Sequence, residues 1–204
     1  PPRKIPLLLT WGGMADYLQF GYLPDDRQGG SVSRTVEFVY SDAMLAGMAE
    51  RLGRPMEAGA LAARAGWYAN LYDPAQGLLA PRNADGSFVT VNPTRKYYSG
   101  GPYVEGTPLH WTFTVLHDPL GYAALRGGPE VLFADLEALF GNSRIGRGER
   151  DTRTPDVYYW HGNQPMLHAA WLYHDVGRRD RLAHWVRAIQ NTLYLDTPDG
   201  LPGN

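Results

Sequence analysis

The stretch Ser33-Arg34-Thr35-Val36-Glu37-Phe38-Val39-Tyr40-Ser41-Asp42-Ala43-Met44-Leu45-Ala46-Gly47-Met48-Ala49-Glu50-Arg51-Leu52, followed by Gly53-Arg54-Pro55, decides the fold class. Val36, Tyr40, Met44 and Met48 recur at spacings of four, close to the helical period, and Gly53 stands where a helix ends. Pro55 occupies a first helical position. Beyond it, Met56 to Leu71 carries Ala60, Leu61, Arg64, Trp67 and Leu71 on one face, until Asp73-Pro74 stops the pattern. Two helices joined by so short a turn pack antiparallel, as a helical hairpin.

The same arrangement recurs downstream. Thr107-Pro108 predicts a helix start, with Thr as N-cap and Pro at the first position, and the helix is expected to run to about Leu116, before His117-Asp118-Pro119. Pro129 opens another, with Val131, Leu132, Leu136, Leu139 and Phe140 as its apolar stripe, and the polar run Asn142 to Thr154 reads as a surface loop. Asn163-Gln164-Pro165 repeats the cap-and-proline start and leads into Met166–His174. The last helix covers about Arg179–Leu195, with Leu182, Trp185, Val186, Ile189 and Leu193 at helical spacing, and Asp196-Thr197-Pro198 ends it. Leu78 to Pro102 reads as irregular, with turns at Asn83-Ala84-Asp85-Gly86 and Ser99-Gly100-Gly101-Pro102 and one short hairpin at most. The expected class is therefore all-α: about three helical hairpins with long irregular loops. Such pairs build a bundle, a solenoid or an α/α toroid. No self-similarity at a fixed period supports a repeat solenoid. The conspicuous polar residues fall in loops before alternate helices, which places them at one rim of a ring and favours the toroid.

Composition narrows the function classes. The 204 residues are enough for one domain with a sizeable core, and 44% hydrophobic with 12% aromatic content excludes intrinsic disorder. Lys and Arg number 19 against 21 Asp and Glu, a net charge of −2, so neither a nucleic-acid backbone nor an anionic membrane is an expected partner. No apolar run approaches the roughly 20 residues of a membrane span. With no cysteine, disulfides, thiolate chemistry and Cys-based zinc sites drop out together, and the compartment stays open. The 24 glycines and 16 prolines imply long shaped loops, and 13 tyrosines with six tryptophans supply the amphipathic faces that line polar-ligand clefts. The start, Pro1-Pro2-Arg3-Lys4-Ile5-Pro6, lacks signal-peptide anatomy, having only Leu7-Leu8-Leu9 before Trp11-Gly12-Gly13.

Four stretches carry side chains suited to chemistry. In Ser31-Val32-Ser33-Arg34-Thr35-Val36-Glu37, Arg34 and Glu37 are three apart on a helix and are expected to pair. In Tyr103-Val104-Glu105-Gly106-Thr107-Pro108, Glu105 lies just ahead of an N-cap on a rim loop among aromatics. A carboxyl desolvated there favours the protonated form that a general acid needs, whereas a helix dipole favours the anion, so an acid and an ion-paired capping carboxylate both fit. Trp160-His161-Gly162-Asn163-Gln164-Pro165 offers hard side-chain oxygens from Asn163 and Gln164 that suit a sugar hydroxyl or Ca2+, or else a capping loop. As a zinc site it is poor: His161 and His168 are seven apart and no third ligand is evident. The terminal Asp196-Thr197-Pro198-Asp199-Gly200-Leu201-Pro202-Gly203-Asn204 is an acidic loop. There is no Gly-x-Ser-x-Gly, P-loop or dinucleotide fingerprint.

Taken in order, Gly21-Tyr22-Leu23-Pro24, Ser31 to Glu37, Pro81-Arg82-Asn83-Ala84-Asp85-Gly86-Ser87, Glu105-Gly106, His117-Asp118, His161-Gly162-Asn163 and Asp196 to Asn204 closely resemble the catalytic domain of glycoside hydrolase family 92, the exo-acting α-mannosidases. The resemblance spans nearly the whole chain. It implies helical hairpins forming part of an (α/α)6 toroid, which in the family packs on an N-terminal β-sandwich, and a secreted or extracellular enzyme that inverts configuration with Ca2+. It makes Glu105 the general acid and His161, Asn163, Gln164 and Thr107 candidate substrate-binding residues; the calcium ligands stay unassigned. In the family, Asp-Gly-Leu-x-Gly-Asn is followed at once by the aspartate pair that includes the general base, so that base is expected just after Asn204. Residues 1–204 are then expected to be a central fragment of the catalytic domain, lacking the sandwich and the final barrel helices, inactive alone, and partnered by the remaining segments of the enzyme and a mannose-containing glycan.

Two departures bear on specificity. The usual Glu-Gly-Asn-Ala-Trp-Gln-Tyr-Thr here reads Glu105-Gly106-Thr107-Pro108-Leu109-His110-Trp111-Thr112, and the usual His-Gly-Asn-Glu-Pro reads His161-Gly162-Asn163-Gln164-Pro165. Gln164 in place of a carboxylate removes a negative charge where the leaving group would lie, which suits an anionic one. The resemblance therefore leans to mannose-α-1-phospho-6-mannose over the α-1,2-mannosides of N-glycans, with a non-catalytic carbohydrate-binding or scaffold domain as the reading from another class.

Overall fold

Proline and glycine chemistry sets most of the helix boundaries. The computed structural model describes residues 12–98, 100–150 and 154–203; the leader reading, the turn at Ser99, part of the Asn142–Thr154 loop and Asn204 lie outside or partly outside them. Helices α1 (Met14–Phe20), α2 (Ser31–Arg51) and α3 (Pro55–Ala65) come first, with a 3₁₀ turn over Gly66–Leu71. A two-residue hairpin follows, β1 (Tyr72–Asp73) against β2 (Leu78–Leu79), antiparallel with Tyr72 opposite Leu79. Then come α4 (Pro108–Thr112), α5 (Pro119–Leu125), α6 (Pro129–Gly141), α7 (Gln164–Leu167), a 3₁₀ turn at Ala169–Trp171, α8 (Leu172–Asp175) and α9 (Arg179–Leu193). The chain is all-α, and α2 with α3, α5 with α6 and α8 with α9 pack as helical hairpins.

Several expectations need correcting. The short hairpin straddles the start of the segment expected to hold it, pairing Tyr72–Asp73 with Leu78–Leu79, while the rest of Leu78 to Pro102 is tied by the isolated bridge Arg82–Phe88 and by Tyr97 pairing with Gly106 beyond it. Helix α4 stops at Thr112 rather than Leu116, because the Thr114 hydroxyl turns back to the Trp111 carbonyl at 2.5 Å and closes the turn. Pro119, read as a stop, is the first residue of α5: Asp118 caps it, accepting from the Gly121 amide at 3.0 Å. Arg34 donates to the carbonyls of Gly29 and Gly12, and it forms no ion pair with Glu37 among the described residues.

Two apolar clusters form the interior. One gathers Tyr17, Leu23, Val32, Val36, Leu71, Tyr103 and Trp111; the other gathers Phe113, Leu136, Phe140, Tyr159, Tyr173 and Trp185. Trp111 belongs to the first and Phe113 to the second, so α4 runs along the seam between them. Tyr17, Asp42 and Arg64 pin α1, α2 and α3 together: the Tyr17 hydroxyl donates to Asp42 at 2.8 Å and Arg64 grips the same carboxylate at 2.5 and 2.8 Å. The loops before α4 and α7 meet at the seam.

Candidate active site

Glu105 occupies a backbone conformation that its side chain disfavours. Its φ is +49°, and no other non-glycine residue among those described has a positive φ. For a residue with a Cβ this conformation costs on the order of 1–2 kcal/mol, and it persists only where the surroundings impose it. Three contacts do so. Tyr97 and Gly106 exchange amide–carbonyl bonds at 2.9 Å, the Trp111 indole donates to the Val104 carbonyl at 2.8 Å, and the Val104 amide donates to Ser33 Oγ of α2 at 2.9 Å. The strand-like pairing and the two flanking anchors leave Glu105 to make the turn.

Across the seam stands Asn163. Its side-chain amide donates to the Glu105 carbonyl at 2.9 Å and reaches the Glu105 carboxylate at 3.4 Å, while its Oδ1 caps α7 through the Gln164 amide at 2.9 Å. Gly162 permits this approach: a Cβ there would lie 2.5 Å from the Trp160 indole nitrogen. The terminal loop closes on the same spot. A Cβ on Gly203, whose φ is +123°, would sit 3.1 Å from the Gly162 carbonyl.

Glu105 borders two cavities. One, of about 360 Å³, is lined by Lys96, Tyr98, His110, Trp160 and Asn163 as well as Glu105. The other, of about 520 Å³, is lined by Glu37, Tyr40, Trp111, Gln164 and His168 besides Glu105. Glu105 is thus common to both cavities, and it is exposed rather than desolvated. Partial burial raises the Glu37 carboxyl above the ordinary range. His110 is buried, and that burial pushes its imidazole down to about 4, against smaller opposing effects from the Tyr158 and Asp156 backbone. Burial lowers the His168 imidazole, opposed by the Phe113 carbonyl 2.6 Å from Nε2.

The sequence candidates divide. Glu105, Asn163 and Gln164 meet at the seam. Thr107 lines the first cavity, but its hydroxyl accepts from the His110 amide at 3.2 Å and donates to the Val157 carbonyl at 3.1 Å, a capping role. His161 turns elsewhere: its ring nitrogens contact the hydroxyls of Tyr159 and Tyr194 at 2.5 and 2.8 Å, and it lines a separate cavity with Trp171. Lys96, Tyr98, His110, Trp160 and Glu37 went unread as site residues. Glu37 carried a signal, a carboxylate in the helix start that the resemblance already singled out; the others follow from contacts across the seam. No group of three or more His, Asp or Glu side chains that could hold a metal ion occurs among the described residues.

The family model for the glycosyl hydrolase family 92 catalytic domain matches residues 8–204. The chain belongs to glycosyl hydrolase family 92. Family 92 structures share its fold: an α-mannosidase of Bacteroides thetaiotaomicron superimposes with a TM-score of 0.83 at 31% identity over 96% of this chain and 25% of that one. The same mannosidase solved with mannoimidazole gives 0.83 at 28% identity, over 94% and 26% of the two chains. An inverting mannosidase of Bacteroides thetaiotaomicron VPI-5482 gives 0.81 at 29% identity, over 94% and 27%. None of the curated proteins matches. The helical hairpins are thus those of the family 92 (α/α)6 architecture, and the chain spans about a quarter of the length of the enzymes it matches.

Proposed function

We propose that this chain is the central part of the catalytic domain of an inverting, Ca2+-dependent exo-α-mannosidase, with Glu105 as general acid and a preference for phosphate-linked mannose. The observation that carries the reading is the strained Glu105 turn, which holds a carboxyl on the wall between two cavities in a family 92 chain. In an inverting hydrolysis, water attacks the anomeric carbon from the face opposite the leaving oxygen, losing a proton to a carboxylate about 6.5–9.5 Å from the acid. As the glycosidic C–O bond breaks, Glu105 gives its proton to the departing oxygen. Asn163 holds the Glu105 backbone and meets one carboxylate oxygen, which orients that proton. The general base is expected on sequence after Asn204, in keeping with Gly203 lying against Gly162, next to Asn163.

Calcium enters through the family alone. Its ligands are not assigned, and no step is drawn through it. The substrate leaning rests on Gln164, a neutral donor on the cavity wall where the family commonly has a carboxylate. Secretion belongs to the same family-based reading; the structural fact is that no helix of the described residues is long and apolar enough to cross a membrane.

The test uses the full-length polypeptide that contains these residues, assayed on a mannosyl-phosphate glycan and on α-1,2-mannobiose, with and without EDTA. Glu105→Gln is expected to slow α-1,2-mannobiose hydrolysis by about 10²–10⁴-fold, the usual range for a general acid. The phosphate-linked substrate, whose leaving group needs less protonation, is expected to lose less. Undiminished hydrolysis of the mannobiose by Glu105→Gln removes the acid assignment, and indifference to EDTA removes calcium. Cleavage of the mannobiose in preference to the phosphodiester makes the enzyme an ordinary α-1,2-mannosidase.

A further inference from the structure

The chain has two lysines, Lys4 and Lys96, against seventeen arginines. Lys96 is the one permanently cationic side chain, among the described residues, lining either cavity that Glu105 borders. No carboxylate pairs with it among those residues, whereas Arg27, Arg54, Arg64, Arg126, Arg147, Arg178 and Arg181 are each spent on an acid.

Backbone register explains why Lys96 faces the site. Tyr97 sits opposite Gly106 in an antiparallel pair, with both amide–carbonyl distances at 2.9 Å. Residues directly opposite share a face and alternate along the strand. The pairing brings Lys96 and Tyr98 alongside Thr107 and Glu105, and all four line the cavity. Tyr97 borders the same cavity, but its ring carries the Arg95 guanidinium at 5.0 Å and packs on Tyr103 at 5.3 Å. Of the Arg95-Lys96 pair, Arg95 is held in aromatic packing and Lys96 lines the cavity.

We infer that Lys96 is the specificity-determining group that recognises the phosphate of phosphate-linked mannose. The inference rests on the mannosyl-phosphate reading above and adds to it the residue that senses the anion. An ammonium is a strongly hydrated point charge suited to a phosphate oxygen, and it gives a neutral leaving sugar no comparable contact. Gln164 then acts by the absence of a charge and Lys96 by the presence of one, from the two cavities that meet at Glu105.

The experiment compares wild type, Lys96→Gln and Lys96→Arg in the full-length polypeptide. For a charge-assisted contact at a solvent-facing site, Lys96→Gln is expected to lower kcat/KM on the mannosyl-phosphate glycan about tenfold. Activity on α-1,2-mannobiose stays within about twofold, and Lys96→Arg recovers most of the loss. Inhibition by mannose 6-phosphate and by inorganic phosphate should weaken by a similar factor in Lys96→Gln, while inhibition by mannose does not change. Equal losses on both substrates assign Lys96 a structural role and overturn the inference. A wild type that cleaves the phosphodiester with Lys96→Gln unaffected overturns the inference and leaves the functional reading standing. A wild type inactive on the phosphodiester, with phosphate inhibition still dependent on Lys96, overturns that reading and leaves the lysine as an anion site.

Discussion

At the scale of a residue, the site is built on one unfavourable dihedral. A glutamate at φ +49° gives up stability that a glycine in its place would keep, and the neighbouring bonds hold it there. The cost is measurable because two truncations differ only in their tolerance of that backbone. Glu105→Ala and Glu105→Gly both lose the carboxyl and both lose turnover on α-1,2-mannobiose. Glycine is ordinarily the less stable of the two by about 0.5–1 kcal/mol, through backbone entropy. Here strain of on the order of 1–2 kcal/mol in the alanine variant outweighs that term. Glu105→Gly is therefore expected to unfold at the higher temperature, as read by differential scanning calorimetry or chemical denaturation. The usual order, alanine above glycine, would mean that the turn relaxes in solution. The sequence carries no sign of this strain, since Glu105 precedes a glycine and a Thr-Pro helix start like any capping-loop acid; only its wording against a family marked it.

At the scale of an element, what was legible is what is local. Thr107 and Asn163 cap α4 and α7, with proline in the first turn of each, because both signals act through the nearest amides. The run of Val36, Tyr40, Met44 and Met48 identifies α2 but does not trace its buried face. Each step of four residues advances about 40° beyond a full turn, so the line winds off the core. Val36 is buried, and Met44 and Met48 are 51% and 59% exposed. Helix α1 was missed because glycines in the left-handed region bound its seven residues, leaving no cap side chain to read. Within α4, His110 completes a capping box, its Nδ1 accepting from the Thr107 amide at 3.3 Å. Burial holds this ring neutral down to about pH 4, against about 6.5 in the unfolded chain. A histidine depressed on folding stabilises fully above pH 6.5, and its contribution is lost as pH falls toward 4, where the unfolded state takes up the proton first. The span corresponds to about 3 kcal/mol at most. Glutamine at 110 keeps a capping-box acceptor and cannot titrate. His110→Gln is expected to match wild type within about 1 kcal/mol at pH 8 and to decline less steeply between pH 6.5 and 4 in urea-unfolding series. His161 and His168, also lowered by burial, add the same background slope to both proteins. Identical slopes would remove His110 as a source of the acid sensitivity.

At the scale of the molecule, the two clusters and the seam between them escaped the sequence, since nothing local says that Trp111 and Phe113 serve different cores. The hairpins were legible; which loops touch was not. Hence Asn163 and Gln164 join Glu105, whereas His161, two residues before Asn163, faces Trp171 and Tyr194. The seam also makes charge at position 164 a property of the whole cavity. Glu105 and Glu37 already line the wall that Gln164 shares, and partial desolvation raises the Glu37 carboxyl. Gln164→Glu adds a carboxylate there. Two unit charges at ~4–5 Å repel by about 3–4 kcal/mol at an effective dielectric near 20. Exposure and salt screen that repulsion, so at least about 1.4 kcal/mol, or tenfold, is expected to survive. An anionic leaving group feels it and a neutral sugar does not. The ratio of kcat/KM for the mannosyl-phosphate glycan to that for α-1,2-mannobiose should therefore fall at least about tenfold in the full-length Gln164→Glu enzyme at low salt, and recover part-way as salt is raised. A ratio unchanged at low salt would show that the phosphate lies beyond the reach of residue 164, and the preference would then have to come from the other cavity alone.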